Sequence, residues 1–200
     1  MTIGDQIRCS IDDFEDGTKF EASLLHSCTG INATSTKLFG NVQGEIGKNY
    51  KKCLRQYYWL LEPMLGSINL VDTKFTWGRL LSKTLTPDLT DIVYEAFRCT
   101  HAHGAEHPIS FSYLPCANTG GPVRFEFEEN IMAFPDTIIF ALLSVTILSE
   151  VNKDCAQNNL DGYIFTLGDE QFNVNDWWGR EEDFRPIADR HNTNRLTLNF

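Results

Sequence analysis

Asp91-Ile92-Val93-Tyr94-Glu95-Ala96-Phe97-Arg98-Cys99-Thr100-His101-Ala102-His103-Gly104 is the stretch on which the reading of this chain turns. It begins as an amphipathic helix, because Leu89, Ile92, Val93, Ala96, Phe97 and Thr100 recur at the three- and four-residue spacing of one buried stripe. Thr86-Pro87 supplies the start, a hydroxyl cap before a proline that has no N–H to leave unpaired. Gly104 and Pro108 supply the stop. The spacing therefore predicts a helix over 87–103. Its last turns carry Arg98, His101 and His103, with Glu106 and His107 just beyond. No other stretch concentrates groups suited to chemistry in this way.

On the N-terminal side, a helical pattern runs from Phe20 to Leu38, interrupted only by Gly30. A second predicted helix runs from Ile46 to Leu65, with Tyr50, Cys53, Leu54, Tyr57, Tyr58 and Leu61 on its apolar stripe. Lys48, Lys51, Lys52 and Arg55 lie off that stripe, as a solvated face or as a phosphate-attracting strip. Trp77, Leu80 and Leu81 predict a short third helix between Asp72 and Leu85. Residues 1–19 set four acids around Phe14 and read as a loosely docked lead-in.

On the C-terminal side the period changes. Residues 109–113 and 123–128 alternate apolar and polar around the turn signal Asn118-Thr119-Gly120-Gly121-Pro122, which predicts a hairpin over 109–128. Phe134-Pro135-Asp136 reads as the start of a helix carrying an apolar run to Val151, apolar almost all round and so the most buried. Residues 154–200 turn extended, at 162–168, at 171–174, and again where Leu196, Leu198 and Phe200 alternate. The fold class expected is mainly α: a helical bundle over 20–153 with an inserted hairpin, and a β/loop extension over 154–200 packed on it.

Composition limits the functions available. Two hundred residues, 42% of them apolar, can bury a real core in one domain. A net charge of -10 argues against a broad basic surface for nucleic acid, so an RNA contact needs a local basic pocket or a second chain. The six cysteines form no Cys-x-x-Cys pair, residues 1–5 lack a basic-then-apolar signal segment, and no apolar run reaches the roughly 20 residues that span a bilayer. The expectation is a cytoplasmic, reduced protein without a membrane partner.

Arginine offers a permanent charge and a fork of donors that matches phosphate, and histidine titrates near neutrality and can pass a proton. Arg98 with a histidine is a sufficient set for cleaving RNA without metal. The histidine takes the 2′-hydroxyl proton or protonates the leaving oxygen, and the arginine stabilises charge on the phosphorus oxygens. Cys99, His101, His103 and His107 are metal-ligand types, but neighbours two apart on a helix point apart, so neither metal nor cofactor is assigned. Trp177-Trp178-Gly179-Arg180 could stack a base between indole and guanidinium, or be core and lid. Tyr94, Lys52, Arg55, Trp178 and Arg180 are the candidate substrate contacts.

Residues 94–104 resemble the end of the third helix in proteins of the HEPN superfamily, which carry an arginine, four to six residues, then a histidine. The helices before the motif and the long helix after it are similar in order. The resemblance implies an all-helical bundle that dimerises with paired motifs facing each other. It also implies a metal-independent endoribonuclease of toxin, defence or RNA-processing type, or an inactive relative that binds nucleotide, RNA or a protein partner such as an antitoxin. On the motif, Arg98 and His103 are the catalytic pair. On a straight α-helix those two lie about 140° apart, whereas Arg98 and His101 lie about 60° apart, so geometry favours His101. Both histidines stay candidates. Cys99 stands where active members often carry a polar residue.

Overall fold

A computed structural model describes residues 1–66, 69–75, 86–99, 110–117, 123–128, 131–157, 160–167 and 169–191. The protein is mainly helical, with short strands in its C-terminal half. Residues 1–19 are not a loose lead-in. Helix α1 (Ile3–Asp16) opens with a capping box, in which Thr2 and Asp5 satisfy each other's backbone N–H groups, and it buries Ile7 completely. Of the four acids around Phe14, Asp12, Glu15 and Asp16 are exposed and Asp13 is half-buried.

Helix α2 (Phe20–Phe39) buries Leu24, Cys28 and Ile31 together with Ser23, Ser27 and Thr34. Gly30 has a packing role there: a Cβ on it would stand 2.9 Å from Thr146 Oγ1, so its hydrogen lets α2 approach the central helix closely. The expected single helix over 46–65 is broken. Helix α3 (Ile46–Gln56) ends at Tyr57, whose φ of -102° and ψ of 15° leave the helical basin, and α4 (Tyr58–Leu65) restarts at once. The apolar stripe continues through the break, because Tyr57, Leu60, Leu61 and Leu65 are all buried. Periodicity therefore could not reveal it.

Helix α5 (Leu89–Ile92) carries the decisive stripe, with Leu89, Ile92, Val93, Ala96 and Phe97 all buried. Its cap is Asp88, not Thr86: Asp88 accepts the Asp91 N–H and Asp91 returns the bond. From Val93 to Cys99 the helix is of π type. Residues 100–103 of the predicted helix, and residues 76–85 of the short helix expected between Asp72 and Leu85, lie outside the described residues.

Strands β1 (Ser110–Leu114) and β2 (Glu126–Glu128) do not pair with each other as the hairpin expectation required. Both pair with β3 (Ile131–Pro135), β1 parallel and β2 antiparallel, in the order β1-β3-β2. The burial of Met132, Ala133 and Phe134 explains the central place of β3, since a strand covered on both faces reads as an apolar run. Phe134-Pro135, expected to open a helix, is thus the end of a strand. Helix α6 (Ile138–Leu148) follows and is the central helix, every residue of it buried except Phe140. A 3₁₀ segment (Glu150–Gln157), the antiparallel pair β4 (Ile164–Leu167) and β5 (Glu170–Asn173), and α7 (Glu181–His191) complete the chain. The polar run before His191 forms α7 because Phe184 and Ala188 give it a buried face and its acids and bases suit the helix dipole. No helix among the described residues is long and apolar enough to cross a membrane.

Candidate functional site

Arg98 stands near the end of the π segment, half-buried. Bonding from i to i+5 widens the helical turn, and such segments gather at functional sites. The separation of about 140° assumed α geometry, and residues 93–99 of the stretch are of π type. Thr100, His101, His103, Glu106 and His107 lie outside the described residues.

The guanidinium carbon of Arg98 lies 5.8 Å from the centre of the Tyr94 ring, and its Nη1 lies 3.9 Å from Cys99 Sγ. Tyr94 in turn is seated on α3. A Cβ at Gly47 would come within 2.7 Å of two of its ring carbons, so only glycine admits the ring there. Tyr50 packs against the same ring at 5.3 Å between centres, and Lys51 Nζ lies 5.9 Å from its centre. Beneath them Tyr50 is fully buried, its hydroxyl against the Cys28 thiol and without a hydrogen bond of ordinary geometry. Burial pushes the Cys28 thiol up to about 12 and the Tyr50 phenol well above its usual value. Burial, then the Cys99 thiol, raises Tyr94 against the opposing charge of Arg98. These groups are therefore neutral at neutral pH, and none of them cancels the arginine.

Among the described residues, every lysine and arginine has a carboxylate within 4.0 Å except Lys52 and Arg98. Lys51 holds Asp91 at 3.0 Å, and Arg55 and Lys74 both hold Asp88, at 2.5 and 2.7 Å. Arg55, a candidate phosphate contact, is thus a structural ion pair. Lys52 is exposed, with its ammonium 4.3 Å from the centre of the Phe39 ring.

Trp178 and Arg180 belong to another cluster. Trp178 is buried, so its ring offers no face to a base, and its Nε1 has no hydrogen-bond partner among the described residues. Arg180 lies 4.5 Å from the centre of the Trp177 ring and donates to Asp183 at 2.8 Å. Trp177 packs edge-on against Phe172 and Phe184. Of the candidates, the described structure brings together Arg98 and Tyr94. It adds Gly47, Tyr50 and Cys28, which the sequence reading did not single out for a site. A glycine just inside a predicted helix was the one available signal, since it marks a close approach. Among the described residues, no group of three histidines, cysteines or acids could hold a metal ion.

A family model described as Rv1289 matches residues 2–200. The chain is similar to the uncharacterised protein Rv1289 of Mycobacterium tuberculosis (strain ATCC 25618 / H37Rv), at 24% identity over 203 residues that cover all of this chain and 94% of that one. The uncharacterised protein Mb1320 of Mycobacterium bovis is similar to the same extent, 24% over 203 residues, with 100% of this chain and 94% of that one covered. No solved structure matches.

Proposed function

We propose that this chain, which belongs to the Rv1289 family, is a HEPN-like, metal-independent endoribonuclease in which Arg98 holds the phosphate and His103 moves the proton. The observation that supports this is the uncompensated guanidinium. On a chain of net charge -10, where almost every described cation is neutralised, Arg98 lies by an aromatic ring and has no carboxylate within 4.0 Å among the described residues. That is a resting state suited to an incoming anion. The reaction needs no further group. The 2′-oxygen attacks phosphorus, the P–O5′ bond breaks, the histidine carries the proton, and a 2′,3′-cyclic phosphate remains. The reducing cytoplasm, where all six cysteines stay free as they are here, is the compartment that suits this reading.

Pure protein incubated with mixed RNA in EDTA should produce cyclic-phosphate ends. Arg98→Ala should lower the rate by about a hundredfold or more, the usual cost of removing a donor to a developing charge. His103→Ala should cost about a hundredfold as a lost proton carrier. A large loss in His101→Ala with His103→Ala unaffected would move the proton role to His101. If all three variants match the parent, the cleavage belongs to a contaminant. A second reading then applies: a catalytically silent module that binds nucleotide, RNA or a protein partner. Cys99 favours it, standing beside Arg98 where active members often carry a polar residue.

A homodimer is part of the same proposal. Among the described residues one protomer presents one arginine without a carboxylate partner, and two-fold pairing would bring two to a shared groove. Light scattering at micromolar concentration should give twice the 22.8 kDa of the chain, and a monomer would count against the paired site.

A further inference from the structure

We infer that the Arg98 site takes a single phosphate group, from a nucleotide or a single-stranded RNA and not from a duplex, and that Tyr94 seated on Gly47 positions the guanidinium for it. This rests on the phosphate-binding reading of Arg98. Two independent observations carry the added content. The first is charge. A duplex or a long backbone is tracked by several cations in a row, and here the described cations Lys51, Arg55 and Lys74 are already occupied by Asp91 and Asp88, while Lys52 lies against the Phe39 ring. Among the described residues one guanidinium is without a carboxylate, which matches one phosphate.

The second is geometry. The Tyr94 ring occupies the place a Cβ on Gly47 would need and packs on Tyr50, with Lys51 and Arg98 close by, so it is engaged within the protein. Tyr94 and Arg98 are four residues apart on one helix, and an aromatic ring near a guanidinium restrains it. Glycine at 47 sets the depth of the ring, because any Cβ there must push Tyr94 away from α3. Tyr94 is therefore a positioning residue, and Gly47 is the seat that makes its position definite.

The test is binding of an end-labelled, single-stranded 2′-O-methyl RNA to the full chain, followed by fluorescence anisotropy between about 50 and 200 mM salt. The probe has no free 2′-hydroxyl and cannot be cleaved. The expected slope of log affinity against log salt is about -0.7 per protomer, and the matching duplex should bind at least about tenfold more weakly. Arg98→Ala should weaken binding about tenfold or more and flatten the slope. Gly47→Ala and Tyr94→Leu should each weaken it about fivefold, while Tyr94→Phe, which keeps the ring, should bind as the parent does. If Gly47→Ala fails to fold, Tyr94→Leu decides. A parent that binds no probe, a slope steeper than about -3, or equal affinity for the duplex would overturn the single-phosphate site. Loss in Arg98→Ala with Gly47→Ala and Tyr94→Leu unchanged would overturn the positioning role and leave the phosphate reading standing. An unchanged Arg98→Ala would remove the phosphate reading itself.

Discussion

Asp88→Ala should destabilise the fold by about 3 kcal/mol, because it breaks a buried carboxylate that four groups share. The Asp88 side chain is 1% exposed. Its Oδ2 accepts from Arg55 at 2.5 Å and Lys74 at 2.7 Å, and its Oδ1 accepts from Thr90 at 2.7 Å and from the Asp91 N–H at 3.1 Å. Loss of the N-cap alone costs about 1 kcal/mol. The rest comes from the charge-assisted bonds, discounted because Arg55 and Lys74 are 44% and 50% exposed and can return to water. Urea unfolding monitored by circular dichroism measures it, and a loss below about 0.5 kcal/mol would mean that Asp88 does not pin α5.

The same carboxyl makes stability depend on acid. Burial alone would raise its pKa, but hydrogen bonds from Lys74, Thr90, Arg55 and the Asp91 amide outweigh burial and bring it down to about 2. A depressed folded-state pKa means stability that is present above the ordinary carboxylate range near 3.8 and is lost as pH falls toward 2. The difference corresponds to roughly 2 kcal/mol. In Asp88→Asn this contribution should be missing at neutral pH, and the stability gap to the parent should narrow between about pH 4 and pH 2. A gap that stays constant over that window would count against the assignment.

Phe184→Ala should cost about 4 kcal/mol, the range for emptying a phenylalanine site in a close-packed core. Phe184 is fully buried on α7, with ring centres of Phe165, Phe172 and Trp177 at 5.9, 5.3 and 5.7 Å. The four rings join α7 to the β4–β5 pair. On its other side α7 reaches α4 through Arg185, whose guanidinium lies 4.1 Å from the centre of the Trp59 ring. Emptying the ring cluster should therefore weaken the attachment of the described segment from β4 to α7 as well as its own core. Two separate thermal transitions in the variant would mark that segment as an independently unfolding unit, and one lowered transition would join it to the bundle. Phe184→Leu, which keeps most of the volume, should lose under about 1.5 kcal/mol.

What could be read in advance follows from the range of the interactions involved. The buried stripe of Leu89, Ile92, Val93, Ala96 and Phe97, the deep burial of α6 and the extended character of β4 and β5 are written in local periodicity. The partner of β1 is not, because pairing depends on which strand the fold carries into place. Here it is β3, whose Phe134 meets Phe97 edge-on at 5.0 Å. The break at Tyr57 was hidden because the apolar stripe runs through it, and α1 was hidden because its acids outnumber its few buried residues.

At the candidate site, the sequence by itself determined that one arginine follows a tyrosine by a helical turn at the end of a core-facing helix. Both positions are local, and the helical period alone relates them. Only the tertiary structure decided that this arginine has no carboxylate within 4.0 Å among the described residues, while Lys51 and Arg55 of α3 have one each. Arg55 and Asp88 are 33 residues apart, as Lys51 and Asp91 are 40 apart, and an ion pair depends on distance in space, which no local pattern encodes. The seat of Tyr94 on Gly47 was decided in the same way, by the approach of two helices whose separation is set by the packing of the whole core.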